Sequence, residues 1–185
     1  MDDLLVKKAV AALGDTAGYE LARQAVLSDT RMKAWGAFVE NSMASGIRGK
    51  DGQLAVQGQT MTVGLLSHKA FNQLNAQGSA AMAVLHLEDR LIVGKKAARH
   101  AAAGNALSRQ QWLDLPRLLQ SAVYYFDKGS GNVVAVMDGG IPGDVIKVAF
   151  APSGGADTAF RVSSASVEDA VKSGLWKLLD EGRGT

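Results

Sequence analysis

A chain of 185 residues, 47% of them hydrophobic, is long enough for one ordinary domain and too apolar for a disordered one. Its 20 Lys plus Arg against 18 Asp plus Glu leave a net charge of +2, which excludes a bulk nucleic-acid coat and allows only a local basic patch. With no cysteine in the sequence, a disulfide framework and thiolate metal sites are excluded as well.

Residues 2 to about 45 read as helical. Leu4, Leu5, Lys8, Val10 and Leu13 come first, and Gly14-Asp15-Thr16 offers a break and a new cap. Tyr19, Leu21, Ala22, Ala25 and Val26 then recur at helical spacing. After a second cap signal at Ser28-Asp29-Thr30 follows the stripe Met32, Trp35, Phe38, Val39 and Met43. These alanine-rich helices are thin in large apolar residues, so residues 1–45 are expected as a helical arm ahead of a domain over 46–185. The N-terminal run has acids before its lysines and only a short apolar stretch, unlike a signal peptide. No uninterrupted apolar stretch has membrane-spanning length, so neither export nor a membrane partner is expected.

Gly46 to Gly52 reads as a loop, after which the period changes to two. Leu54, Val56, Met61, Val63 and Leu65 alternate as half-buried strands do. Ser67 opens a helix to about Gln77, closed by Gly78. Ala81–Leu87 and Leu91–Val93 read as a hairpin turning at Glu88-Asp89-Arg90. A basic helix runs from about Gly94 to Ala103. Ser108 caps another through Trp112, closed by Leu115-Pro116. The last third is mostly strand, over Val123–Asp127, Val133–Met137, Val145–Ala151 and Ala159–Ser163, with glycine-rich turns between. A closing helix capped at Ser166 is expected to carry Val167, Ala170, Val171, Leu175, Leu178 and Leu179. Helices followed by an antiparallel meander make an α+β fold.

Several segments occur in a suggestive order. Val63-Gly64 precedes a short helix, and Leu85–Leu91 forms a hairpin ahead of the basic helix. Leu107-Ser108, Trp112 and Leu115–Leu119 come next, then Val123–Asp127, Gly131–Val136 and Ile146–Val148. Arg161–Val167 runs from strand into helix. From about Val63 to Leu179 this layout resembles the phage-borne nuclease-like domains of the barnase–EndoU–colicin–RelE group, often found at the C-terminal end of head-morphogenesis or minor head proteins. The resemblance implies a twisted antiparallel meander with flanking helices, and metal-independent RNA cleavage. It also implies RNA as one partner and phage head or portal-region proteins as others, the latter docking through residues 1–45. The location implied is the host-cell cytoplasm or the virion. Members with activity carry a histidine where hairpin meets basic helix; here Gly94 stands there.

Such cleavage needs a base for the 2′ proton, an acid for the leaving oxygen, and cations to steady the phosphorane. On the basic helix, Lys96 and His100 share a face, as do Lys95 and Arg99. An unperturbed imidazole titrates at about 6.5, near neutrality, so histidine is the residue type suited to the task and His100 is the candidate acid or base. Lys96 and Arg99 are the candidate phosphate clamps. Arg161 and Ser163 complete the pocket if their strand lies beside this helix, with Lys95, Arg109 and Tyr124 as further RNA contacts. Trp112 and Phe126 are expected in the core, and His68 on the surface. His86 fits either a structural or a pocket role. The three histidines lack metal-ligand spacing, and no cofactor motif is present, so no metal or cofactor is expected. A basic helix can equally be a solvated face, and three functional readings stay open. They are a ribonuclease, a silent virion component, and an inhibitor that binds a host protein through the basic face.

Overall fold

The computed structural model describes residues 14–44, 58–78 and 83–182. The expected features at Leu4–Leu13, Gly46–Gly52, Leu54, Val56 and the start of the Ala81 strand lie outside these residues. Two helices lead, α1 (Thr16–Ala25) and α2 (Asp29–Ala44). The Asp15 carboxylate caps α1 by accepting from the Ala17 N–H.

Strand β1 (Thr60–Leu65) pairs antiparallel with β2 (Val84–Glu88), and α3 (His68–Ala76), capped by Ser67, connects them. Leu91–Val93 does not form the expected strand. It is a helical turn, α4 (Arg90–Val93), because Leu91 and Ile92 are both buried and adjacent strand residues would face opposite sides. The Asp89 carboxylate holds the corner by accepting from the N–H groups of Gly58 and Gln59, just ahead of β1.

Helix α5 (Lys95–Ala102) is the expected basic helix. Helix α6 (Arg109–Leu118) begins on a full capping box between Ser108 and Gln111. It continues through Pro116 instead of stopping there. A proline cannot donate to the carbonyl four residues back, which here belongs to Trp112. That carbonyl accepts from the Trp35 indole N–H at 2.8 Å, so the vacancy is filled from α2.

The meander then follows as β3 (Val123–Asp127), β4 (Val133–Ile141), β5 (Asp144–Phe150) and β6 (Ala156–Ser163). Helix α7 (Ser164–Lys172) leads to β7 (Trp176–Asp180), which returns beside β3, giving the order β6-β5-β4-β3-β7. The expected closing helix is thus cut in two. Gly174, at a φ of +72°, ends it, and beyond that point Trp176 and Leu179 bury on opposite faces of the sheet. All pairings in the five-stranded sheet are antiparallel, and the fold is α+β with N-terminal helices.

Strand alternation divides the sheet's side chains between two clusters. Val133, Ala135, Met137, Ile146, Val148 and Phe150 face the helices on the inner side, while Val134, Val136 and Ala149 face α7 on the outer side. The first two helices belong to the interior and are no separate arm. Trp35, Phe38 and Val39 of α2 share the main core with Trp112 and Leu87, and Tyr19 of α1 is fully buried against the β1 region. The stripe expected to meet a partner protein meets this chain's own core. Few large apolar residues suffice there because most are aromatic, each burying far more area than an alanine.

Arg23 anchors α1. With 3% of its surface exposed, its guanidinium donates to the carbonyls of Leu65, Leu119 and Gln120 and pairs with Glu20. Arg23→Ala leaves three carbonyls and a carboxylate without that donor, and is expected to cost about 3 kcal/mol or more by urea denaturation. Exposed Arg117→Ala is expected to cost within about 0.5 kcal/mol. The hydroxyls of Tyr19 and Tyr124 donate to Leu66 O and Leu119 O, and burial pushes both pKa values up, with Arg23 opposing. The unfolded chain releases these protons near pH 10 while the native chain retains them. Stability is therefore full below about pH 10 and falls above it, and Tyr19→Phe or Tyr124→Phe makes that fall shallower.

Candidate functional site

Helix α5 lies along β6, the edge strand on that side of the sheet, and its Lys96–His100 face is turned toward that strand. The Lys96 ammonium donates to Asp157 O at 2.6 Å and to its carboxylate at 2.9 Å, in a half-exposed pair. One turn on, the His100 ring stacks on Phe160 with centroids 4.3 Å apart and planes 10° from parallel. Its Nδ1 is 3.1 Å from Asn105 Oδ1 and its Nε2 3.5 Å from the Thr158 hydroxyl. An amide oxygen only accepts, so Nδ1 is the donor of that bond, and in the neutral ring Nε2 keeps the lone pair. Below the helix an apolar hollow of about 290 Å³ is lined by Met43, Ile92, Ala98, Trp112 and Ala159, with His100 at its rim.

Lys95 and Arg99 occupy the neighbouring, exposed face of α5. Two lysines in the first turn, with no acidic residue and no side-chain cap, add to the positive end of the helix dipole. The first turn is therefore a region of positive potential whose backbone N–H groups no side chain caps.

Arg161 does lie beside this helix, as the sequence reading required, but its guanidinium is occupied. It donates to Gly104 O at 2.7 Å and Ala106 O at 3.2 Å, and its backbone N–H donates to Asn105 O. Those bonds cover the edge of β6 with the α5–α6 linker, which blocks strand addition there. Arg161 therefore positions the loop that carries Asn105 and does not clamp phosphate.

Three expected contacts fall elsewhere. Ser163 is the N-cap of α7, accepting from the Ser166 N–H at 3.2 Å. Tyr124 is fully buried on the inner face, so RNA cannot reach its hydroxyl. Arg109 pairs with Glu40 of α2 and stands apart from the α5–β6 rim. His68 is buried against Tyr19, at 4.9 Å between rings, and is no surface residue. His86 is half-buried beside Gly155, where an added Cβ would come within 3.1 Å of Nε2. Trp112 is in the core as expected, and Phe126 is half-buried against it.

Sequence reasoning missed the outer face of the sheet. Lys147 stands there in the middle of β5, opposite Phe160 in register, with its ammonium 5.6 Å from the Phe160 ring centroid and 4.8 Å from that of Trp176. Tyr125 lies beyond Trp176 at 5.7 Å. Burial pushes the Lys147 ammonium pKa down, and the Asp127 carboxylate opposes the shift. The available signal was parity. Val145, Lys147 and Ala149 alternate with the more apolar Ile146, Val148 and Phe150, so the lysine had to share a face with residues outside the main core.

Among the described residues no His, Asp or Glu cluster could hold a metal ion, and no helix is long and apolar enough to cross a membrane. Compared with protein-family models, curated proteins and solved structures, the chain matches none.

Gly94, where the resemblance places a histidine, has a local explanation. A Cβ there would stand 2.3 Å from the Arg90 carbonyl oxygen, a backbone atom that cannot swing away. The turn from α4 into α5 admits no side chain at that point. Gly94→Ala is expected to destabilise the fold by about 2 kcal/mol or more, read as a lowered urea midpoint.

Proposed function

We propose that this protein is a metal-independent ribonuclease of the phage-borne nuclease-like type, with its site on the α5–β6 rim. His100 is the proton-transfer group, and Lys95, Lys96 and Arg99 attract the phosphodiester. The observation that carries the reading is the oriented imidazole. A histidine whose Nδ1 is held by a side-chain amide, and whose ring is fixed by stacking, presents Nε2 in one direction, as a general base must. Positive potential at the first turn of α5 supplies the complementary field for an anionic substrate.

A silent virion component is the second reading. What favours it is that Lys96 already holds Asp157, that Arg161 is filled by carbonyls, and that α5 itself offers one proton-transfer group where the reaction needs two. Docking to head proteins through the Met32–Met43 stripe has lost its support, because that stripe is packed inside.

The deciding measurement is cleavage of a single-stranded RNA by the purified chain with chelator present throughout. On the proposed reading, wild type cleaves despite chelator, His100→Ala falls by about 100-fold or more, and Lys96→Ala by about tenfold. Folded wild type that leaves the RNA intact sinks the enzymatic reading and leaves the virion component.

A further inference from the structure

Helix α5 does not seat itself on the core. None of its residues is buried, and the side that it turns over the apolar hollow is built from Ala97, Ala98 and Ala101. The hollow, of about 290 Å³, is walled by Met43 at the end of α2, by Leu91 and Ile92 of α4, and by Trp112 of α6. Close-packed interiors leave few voids larger than a water molecule, and roughly 150 Å³ of apolar cavity already holds a benzene ring. This hollow has room for a ring with a substituent. Ala98 and Ala101 line it and are also solvent-exposed, so a molecule can enter from outside.

An alanine-lined hollow is not by itself a site, and what marks this one is an idle donor. Among the side chains that line it, only His100 and Trp112 carry a nitrogen or oxygen. Both His100 nitrogens are turned to groups that do not line the hollow, Nδ1 to Asn105 and Nε2 to Thr158. The Trp112 indole N–H has no such partner. Only 3% of Trp112 is exposed, yet among the described residues its N–H donates to no acceptor. Nor is that N–H sealed from solvent, and the opening that Trp112 lines is the hollow. A buried indole ordinarily finds an acceptor, as Trp35 does in the Trp112 carbonyl.

We propose that the hollow beneath α5 binds an uncharged, ring-sized apolar molecule with one acceptor oxygen, which receives the Trp112 indole N–H. This goes beyond the ribonuclease reading and does not depend on it. No Lys, Arg, Asp or Glu side chain lines the hollow, so a phosphate or carboxylate would lose its hydration there without a counter-charge. A nucleobase carries several polar edge groups, and a single donor leaves most of them unpaired. A ketone on a hydrocarbon ring leaves nothing unpaired. Its ring buries against Met43, Ile92 and the alanines, and its one acceptor meets the one donor.

Acetophenone and α-methylstyrene test this as a matched pair, alike in shape and differing in a C=O against a C=CH₂. Each is titrated into the full chain labelled with nitrogen-15. The three tryptophans give three indole N–H signals, and Trp112→Phe identifies one of them by its loss. Acetophenone is expected to move the Trp112 signal more than those of Trp35 and Trp176, and to bind about fivefold more tightly than α-methylstyrene. In Trp112→Phe, followed through the backbone signals of Ala98 and Ala101, the two probes are expected to bind within about twofold of each other. Ala98→Leu, which places a larger side chain at the opening from an exposed helix position, is expected to weaken acetophenone binding by about tenfold. Benzoate and uridine are expected to leave the Trp112 signal in place. No movement of that signal at saturating acetophenone, or equal affinity of the matched pair for wild type, overturns the proposal. So does tighter binding of benzoate or uridine than of acetophenone. Should Trp112→Phe fail to fold, the matched pair on wild type and on Ala98→Leu decides the question. Binding is read without RNA, so neither result bears on the ribonuclease reading.

Discussion

The carbonyl of Leu119 is where this fold is tied together. It lies just past the end of α6 and accepts from two buried donors, the Arg23 guanidinium of α1 and the Tyr124 hydroxyl of β3. Two lone pairs and two donors leave nothing unsatisfied. The arrangement also sets a positive charge at the C-terminal end of α6, where the helix dipole favours it. One acceptor thereby fixes the leading helix, the helix that covers the inner face, and strand β3 of the sheet relative to one another. The same guanidinium reaches Leu65 O, so the small β1–β2 ladder is held by the same charge. Remote as it is from the α5–β6 rim, this junction helps to close the inner face of the sheet.

Much of the architecture was legible because the chain marks its own boundaries. Ser67, Ser108 and Gly78 punctuate helices where their side chains or backbone freedom are needed, and glycine-rich turns separate strands of clear alternation. The basic helix was legible for the same reason, and so was the pairing of Lys96 with His100 on one face. What sequence could not supply was parity. Tyr124 and Tyr125 are neighbours of the same type, and a strand sends them to opposite faces. Only the pairing of β3 with β4 and β7 decides that Tyr124 is the buried one. The final helix misled for a different reason. Leu175, Leu178 and Leu179 continue the helical spacing of Val167 and Val171, and a single glycine overrides it. The leading helices misled through counting. Their apolar residues are sparse, yet Tyr19, Trp35 and Phe38 each fill a large volume of the interior.

The site illustrates how a residue type can be right and its role wrong. Arg161 is near His100, as the strand-beside-helix argument required, but three of its hydrogen bonds close the sheet edge. Those bonds hold the Asn105 loop, and Asn105 in turn fixes the tautomer of His100. Arg161 thus acts on the imidazole through the loop, while Lys95 and Arg99 are exposed to solvent on the neighbouring face of the helix. Gly94 belongs to the same local logic. The chain turns so sharply between α4 and α5 that one missing side chain sets the direction of the whole basic helix.

The proline inside α6 carries a consequence for how the chain reaches this structure. The Trp112 carbonyl has no helical donor, and the indole that satisfies it belongs to a residue 77 positions earlier. A peptide spanning α6 alone would bury that carbonyl against nothing, or expose it to water with the helix loosened around it. Completion of the helix therefore waits on a contact of long sequence separation, and secondary and tertiary structure form in the same step. Unfolding follows the same coupling in reverse. Loss of the Trp35 contact opens the middle of α6 together with the core that it covers, which makes a cooperative unit of segments drawn from both halves of the chain.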